Sequence, residues 1–438
     1  MYKKMFNNKI ISAQEALKKI KSNDTIVTGL GGSEAKELLT NLHSIASEVE
    51  NVTVTTCLPT VNADYFMNDK YKNSFRMDGW FYTGGMRKVH KNGNISYIPN
   101  HLHLAAVRRL DYIKPNVYIG NATPPDGHGF VSLSLGNVYE KRMIEAADLV
   151  ILEINNKLPR TFGDVELHVN DIDYMIEVDY DVPEIPDAQP NEKDLKIGAY
   201  IAEYINDGDC IQLGIGGIPN AVTASLMNKK DLGVHTEMIT TGMMKLAKAG
   251  VITGKQKNFN KGKMVAAFAL GTKELYDFMD NNPSIMIMDG NWVNDPYIVG
   301  QNHNQVSINT TIEIDLTGQC ASESIGSRQF SGTGGQVDTA IGAQRSQNGR
   351  AFIALYSTTK IKDKDTGERV EISKIVPQLK AGAAVTLSRN DVDYVVTEYG
   401  VVNLRGTSIR DRVNKLISIA HPKFREELYK EALKTGLI

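Results

Sequence analysis

The chain repeats itself, and a repeat limits the fold more than any single motif does. Residues 20–32 read IKSNDTIVTGLGG and residues 205–217 read INDGDCIQLGIGG, aligning without a gap at an offset of 185. At the same offset Val52–Thr56 (VTVTT) meets Glu237–Thr241 (EMITT). Later pairs drift apart: DGHGFVSLS (126–134) meets NGRAFIALYS (348–357), and ADLVILE (147–153) meets VDYVVTE (392–398), where the offset is 245. The second half therefore carries about sixty extra residues. Each half alternates an apolar-spaced helix (13–20 or 197–205), a short buried run (26–28 or 211–213), a glycine turn and another helix, which is the pattern of a parallel α/β domain. The segment 182–194, VPEIPDAQPNEKD, holds three prolines and a run of charge, so it reads as a linker. Two domains follow, 1–187 and 188–438.

Composition narrows the partners. The 438 residues carry 49 Lys+Arg against 51 Asp+Glu, with no basic block. Neither nucleic acid nor an anionic membrane surface has an electrostatic footprint to meet, and a small molecule is the expected ligand. No apolar run approaches the ~18 residues of a membrane span, and the start, MYKKMFNNKIIS, has no secretory apolar core. Cys57, Cys210 and Cys320 are scattered and odd in number, which fits a reducing, cytoplasmic setting. His101, His103, His128 and His235 follow no metal-ligand spacing, so no metal is expected.

The turn Gly214-Ile215-Gly216-Gly217 lies between the run Cys210–Leu213 and a helix including 221–227, with Pro219 suited to its first position. Glycines let backbone N–H groups approach a phosphate or oxyanion, yet the same turn serves equally well for close strand-to-helix packing. Neither G-x-G-x-x-G nor a P-loop is present. The sister turn Gly29-Leu30-Gly31-Gly32 strengthens the packing reading, since a duplicated fold duplicates its packing turns.

Function should appear where the copies differ. Residues 234–241, VHTEMITT, read as a strand in which Glu237 is out of place, while the matching position holds Val52. A lone strand glutamate is ordinarily a solvated edge residue. The repeat argues against that here, because the duplicated strand accepts an apolar side chain and folding does not require the carboxylate. A partly desolvated carboxylate near N–H donors can take a proton, activate water or attack an acyl carbon. No G-x-S-x-G elbow competes with it, and Cys210 is expected to be buried and inert. The loop Ser331-Gly332-Thr333-Gly334-Gly335-Gln336 is a second candidate oxyanion cradle, or simply a tight turn. Glu398 ends an apolar strand, where ligand sites of α/β folds gather, but Glu153 ends the matching strand, so an orienting role stands beside a catalytic one.

Together, IQLGIGGIPNAV (211–222), GVHTEMITTG (233–242), IGSRQFSGTGGQVD (325–338), SKIVP (373–377) and DYVVTEYG (393–400) resemble the family I coenzyme A transferases of the acetyl-CoA hydrolase/transferase group. The likeness is strongest to enzymes acting on 4-hydroxybutyrate and butyrate. It spans nearly the whole chain and implies two tandem, pseudo-twofold-related α/β domains of the NagB-like type. It implies Glu237 as a nucleophile forming a glutamyl-CoA thioester, with Gln212, Leu213, Gly214, Ile215, Gly216, Ser331, Gly335 and Lys360 contacting coenzyme A. Gly335 N–H and the Asn294 side chain become oxyanion donors, and the segments 28–33 and 80–87 shape the acyl pocket. Coenzyme A is then substrate and covalent intermediate, with no tightly bound cofactor, and a homodimer or higher homo-oligomer is expected. An acyl-CoA hydrolase on the same scaffold, and a non-enzymatic sensor of sugar phosphates or nucleotides, are the alternatives.

Overall fold

The computed structural model describes residues 7–363 and 366–438. Two compact units emerge from the packing. The first holds Met1–Pro186 together with Glu237–Thr241 and Lys263–Asn294, and the second holds Asp187–Thr236, Gly242–Gly262 and Asp295–Ile438. This division differs from one cut near residue 188 by two segments, and Glu237 packs with the first unit, not the second.

The first unit is built on seven parallel strands in the order Tyr174–Val178, Leu149–Asn155, Val117–Ala122, Thr25–Thr28, Val52–Thr56, Phe75–Gly79, Ile95–Tyr97. Val52–Thr56 and Val117–Ala122 are buried along their whole length, as expected of β-branched runs covered on both faces of a parallel sheet. Ile26, Val54, Val117 and Ile151 meet Leu38, Leu39 and Tyr65 in one core. The same unit contains a parallel set of Met264–Ala266, Ile285–Ile287 and Phe162–Gly163, and the short parallel pair Met238–Ile239 and Phe268–Ala269.

In the second unit the order is Gly400–Asn403, Tyr394–Thr397, Arg350–Ala354, Gln305–Thr310, Cys210–Leu213, Gly233–His235. All neighbours run parallel except Gly400–Asn403, which turns back on Tyr394–Thr397. Its core joins Ile353, Val395 and Ala351 to Val413, Leu416 and Leu428 of the last two helices. The first helix of this unit begins at Glu192, five residues before the expected Ile197. Asn191 and Asp194 form a reciprocal capping box that fixes the start, and the helix ends at Ala202. The glycine-turn helix runs Gly217–Ser225, so Pro219 is its third residue and Met227 lies beyond it.

Strand register corrects the repeat. Thr25 pairs with Thr53 in the first unit as its sister Cys210 pairs with Gly233 in the second. Four residues further on, the counterpart of Glu237 is therefore Cys57, not Val52. The similarity of VTVTT to EMITT shifts the match along a pattern whose residues look alike. The later pairs also fail. Leu149–Asn155 lies two strands from Thr25–Thr28, the place held in the second unit by Arg350–Ala354 and not by Tyr394–Thr397. Phe130–Ser132 lies outside the main sheet, paired with Glu166–His168. Glu153 thus lies within Leu149–Asn155, whereas Glu398 follows Tyr394–Thr397 in a turn, and the two strands hold different places in their sheets.

Candidate active site

Glu237 is not inside a strand, contrary to what the spacing suggests. Gly233–His235 pairs with Cys210–Leu213, the chain breaks at Thr236–Glu237, and Met238–Ile239 takes a different partner in Phe268–Ala269. At such a change of partner the main chain loses its ladder. The Glu237 carbonyl regains bonds by accepting from the N–H groups of both Ala267 (3.0 Å) and Phe268 (3.1 Å). The side chain is half-buried, and its Oε2 accepts a hydrogen bond from Asn294 Nδ2 at 2.9 Å.

Asn294 is fully buried and caps the carboxyl end of a single helical turn, Gly290–Val293. The first unit thus brings together two of the four residues expected to act in catalysis. Cys57, the register counterpart, is buried within reach of the Glu237 charge. Burial, then the charges of Glu237 and Glu140, push its thiol well above the ordinary range, so it stays neutral.

The two glycine turns have diverged. In the first unit a Cβ on Gly29 would sit 2.1 Å from Ser33 O, and one on Gly32 would sit 2.7 Å from Leu135 Cδ1. The buried Glu140 carboxylate accepts from Leu30 N (2.8 Å), and Asn121 Nδ2 donates to Gly32 O (3.1 Å). This turn is packing. Within the turn Gly214–Gly217 only Gly217 is hemmed in, since a Cβ there would lie 2.3 Å from Asp194 Oδ2, whereas one on Gly214 or Gly216 would meet nothing within 4 Å. Ile215 is exposed, and the N–H groups of Ile215 and Gly216 donate to no described group. An open cradle of N–H groups at the start of a nine-residue helix can receive an anion.

Gln212 and Leu213 are buried in the strand below this turn. The Gln212 side chain is taken up internally: Ser307 Oγ stands 2.9 Å from its Oε1 and 3.0 Å from Thr339 Oγ1, and the Thr339 hydroxyl donates to Gly335 O at 2.9 Å. That chain ties the strand below the open turn to the second glycine loop. Gly335 caps the ten-residue helix Gln336–Arg345, and its N–H donates to no described group. Ser331 Oγ donates to Ser322 O at 3.1 Å. Lys360 stands apart, exposed on the hairpin of Thr358–Lys362 and Arg369–Ser373.

Glu398 is buried and fully engaged. It accepts from Ser357 N and Oγ, both at 2.8 Å, and pairs with Lys193 Nζ at 2.8 Å. Burial would raise its pKa, but Lys193 and Ser357 outweigh that and hold it below the ordinary value. No described cation pairs with Glu153: it accepts from Leu38 N (2.7 Å), Glu37 N (3.2 Å) and the Tyr180 hydroxyl, and burial pushes it up to about 7. Both carboxylates hold main chain in place.

Sequence reasoning missed Asn137, Arg142 and Asp289, which carry no motif and become visible only as neighbours of the turn that presents Asn294. Among the described residues no group of three or more His, Cys, Asp or Glu is disposed to hold a metal ion, and no helix is long and apolar enough to cross a membrane.

Residues 1–186 match the acetyl-CoA hydrolase/transferase N-terminal domain, and residues 271–432 match the C-terminal domain of the same name. Over 434 residues the chain is 39% identical to a 4-hydroxybutyrate coenzyme A transferase of Clostridium kluyveri, covering 99% of each chain. The chain belongs to the acetyl-CoA hydrolase/transferase family. Other members are equally similar: a succinyl-CoA:cyclohexane-1-carboxylate CoA transferase of Geobacter metallireducens is 40% identical over 439 residues, covering 100% of this chain and 98% of the relative. The crystal structure of RipA from Yersinia pestis superposes with a TM-score of 0.93 at 32% identity, covering 100% of this chain and 99% of that one. As a member of this family the chain is an enzyme, and the two relatives matched along their length are CoA-transferases.

Proposed function

We propose that the protein is an acyl-CoA:carboxylate CoA-transferase for short-chain acids such as butyrate or 4-hydroxybutyrate, with acetate as the exchanging acid, working by a ping-pong mechanism through Glu237. The observation that carries this reading is the setting of Glu237: a half-buried carboxylate, gripped through its own carbonyl by two N–H groups and through Oε2 by a fully buried amide. Glu237 Oε attacks the thioester carbonyl of an acyl-CoA, and the C–S bond breaks to give an acyl-glutamyl anhydride and CoA thiolate. The thiolate then attacks the glutamyl carbonyl, releasing the first acid as its carboxylate and leaving a glutamyl-CoA thioester. A second carboxylate attacks that thioester carbonyl, expelling CoA thiolate. The thiolate takes the new acyl group and returns Glu237 to its starting form, so no proton, oxidant or water is consumed.

A carboxylate is a weak nucleophile in water, and burial alone would favour its neutral form. Fixed dipoles resolve the conflict, since the Asn294 amide is already oriented on the carboxylate and stabilises its charge without reorganising. The groups proposed to contact coenzyme A are the open turn Gly214–Gly216, the N–H of Gly335, Ser331 and the exposed Lys360. Glu398 is proposed as an orienting residue, because its oxygens are already committed to Lys193 and Ser357.

The test is to incubate the protein with butyryl-CoA without acceptor and to map any mass gain by peptide sequencing. A hydroxylamine-sensitive CoA adduct on Glu237 and parallel double-reciprocal lines with acetate support transfer. CoA release that proceeds at full rate without any carboxylic acid would establish the hydrolase instead.

A further inference from the structure

We infer that Arg142 is a positioning residue for Glu237, acting through Asp289 and the single helical turn that presents Asn294. The inference rests on Glu237 being the nucleophile.

Glu237 sits in a closed circuit of bonds within the first unit. Its carbonyl is held by Ala267 N, and Ala267 O accepts from Asn137 N at 2.8 Å. Asn137 O in turn accepts from Gly290 N at 2.8 Å. Gly290 opens the turn whose far end is Asn294, and Asn294 Nδ2 returns to Glu237 Oε2. Main chain and side chain of the glutamate are thereby referred to one another through a ring of bonded neighbours.

The weak link is the turn. Gly290–Val293 has four residues, too few for a helix to hold its own orientation. Its tilt is set from outside. Asp289 caps it by accepting from Asn291 N at 3.0 Å, and the other Asp289 oxygen takes Arg142 Nε at 2.5 Å. Arg142 Nη2 reaches Asn291 Oδ1 at 3.3 Å, so one guanidinium spans both residues at the start of the turn. The Asp289 side chain is only 14% exposed, although that of Arg142 is 39% exposed, so the carboxylate end of the pair is held in the protein while the guanidinium faces solvent in part. Asn291 Nδ2 adds a bond to His103 O at 2.7 Å. The turn is also pressed close, since a Cβ on Gly290 would lie 2.5 Å from Val138 O.

Arg142 itself is anchored. It belongs to the helix Glu140–Ala146, whose neighbouring Lys141 donates through its main chain to Asn137 Oδ1 (3.1 Å) and through Nζ to Asp164 Oδ1 (2.6 Å). The same helix therefore holds both the Asn137 link and the Asp289 link. Without the guanidinium, the start of the turn keeps its bonds to Asn137 and His103 and its Asp289 cap but loses the charged contact that spans Asp289 and Asn291. A shift of about 1 Å at Asn294 is enough to lose its bond to Oε2 and on the order of 100-fold in rate.

The experiment compares Arg142→Met, Arg142→Lys, Asn294→Ala and the double variant Arg142→Met/Asn294→Ala in steady-state transfer from butyryl-CoA to acetate. It also measures the rate of glutamyl-CoA adduct formation by quenched-flow mass spectrometry and the melting temperature of each. Arg142→Met is expected to lower kcat and the adduct rate by about 10-fold or more with KM for butyryl-CoA within about 2-fold. Arg142→Lys should recover part of the loss, and the double variant should be no slower than Asn294→Ala, because both changes remove the same contact. Multiplicative losses in the double variant overturn the inference, as does a lower melting temperature in Arg142→Met with an unchanged adduct rate. Absence of any adduct at Glu237 in the unaltered enzyme while exchange still runs overturns the reading beneath it, and the inference with it.

Discussion

Asn294 Nδ2 lies 2.9 Å from Glu237 Oε2, and the amide that makes this bond is fully buried with no other described partner for its Oδ1. A donor held at this distance is already oriented when charge shifts between the glutamate oxygens and the acyl group, so the reaction does not have to reorganise it. Removing a donor of this type costs roughly 100-fold in kcat. Asn294→Ala is expected to show that loss with little change in KM for acyl-CoA, and Asn294→Asp to be worse, because two carboxylates then face one another. Stopped-flow release of CoA thiol checks both. A variant with normal kcat would mean the amide serves folding alone.

The two glycine turns predict opposite phenotypes. Gly217→Ala would drive a methyl to 2.3 Å from the Asp194 carboxylate, which also caps the first helix of its unit, so a loss of about 1–3 kcal/mol in stability is expected. Gly214→Ala meets nothing, so its melting temperature should match the parent. If the open turn receives coenzyme A, Gly214→Ala should instead raise KM for acyl-CoA severalfold while leaving adduct chemistry intact once bound. Thermal scans and initial rates on the same preparations separate the two effects.

How much of this was legible in the sequence depends on range. The alternation of buried runs, glycine turns and amphipathic helices is local, and both parallel sheets follow from it. The contrast that singled out Glu237 was misplaced by similarity: register puts Cys57, a neutral thiol, and not Val52, where the first copy matches the glutamate. The strand Val52–Thr56 and the segment 237–241 share a β-branched texture, and texture does not carry register. The break at Glu237 was not legible, since it arises from a change of partner to Phe268–Ala269, distant in sequence. Arg142, Asp289 and Asn137 were invisible for the same reason: their bonds to the turn that presents Asn294 form only once separated segments meet. Asn294, carried by a family likeness, was the exception.

Because Cys57 is the counterpart of Glu237 yet buried and neutral, it should be dispensable to chemistry. Cys57→Ala is expected to keep kcat within about 3-fold, with a small packing loss of about 1 kcal/mol. The native thiol should resist iodoacetamide at neutral pH and react only on unfolding, since the thiolate is the reactive form. A large fall in kcat, or fast alkylation that blocks turnover, would place this thiol in the reaction after all.

Glu153 and Glu398 make opposite demands on pH. Burial raises Glu153 from an ordinary 4.5 to about 7, so between those values the folded protein holds a proton that the unfolded chain has lost. Its contribution is therefore complete below about pH 4.5 and declines as pH rises toward 7, by on the order of 3 kcal/mol at about 1.4 kcal/mol per pKa unit. Glu398 is held low by Lys193 and Ser357 despite burial, so its contribution is present at neutral pH and is lost as pH falls through its folded value. Glu153→Gln should flatten the decline between about pH 5 and pH 7, relative to the parent, in urea midpoints. Glu398→Gln should lower the midpoint at pH 7, where Lys193 loses its counter-charge, and converge with the parent in acid. If Glu153→Gln leaves the slope unchanged, the carboxyl is ionised in the folded protein across that range, and its bonds to Leu38 N and Glu37 N outweigh its burial.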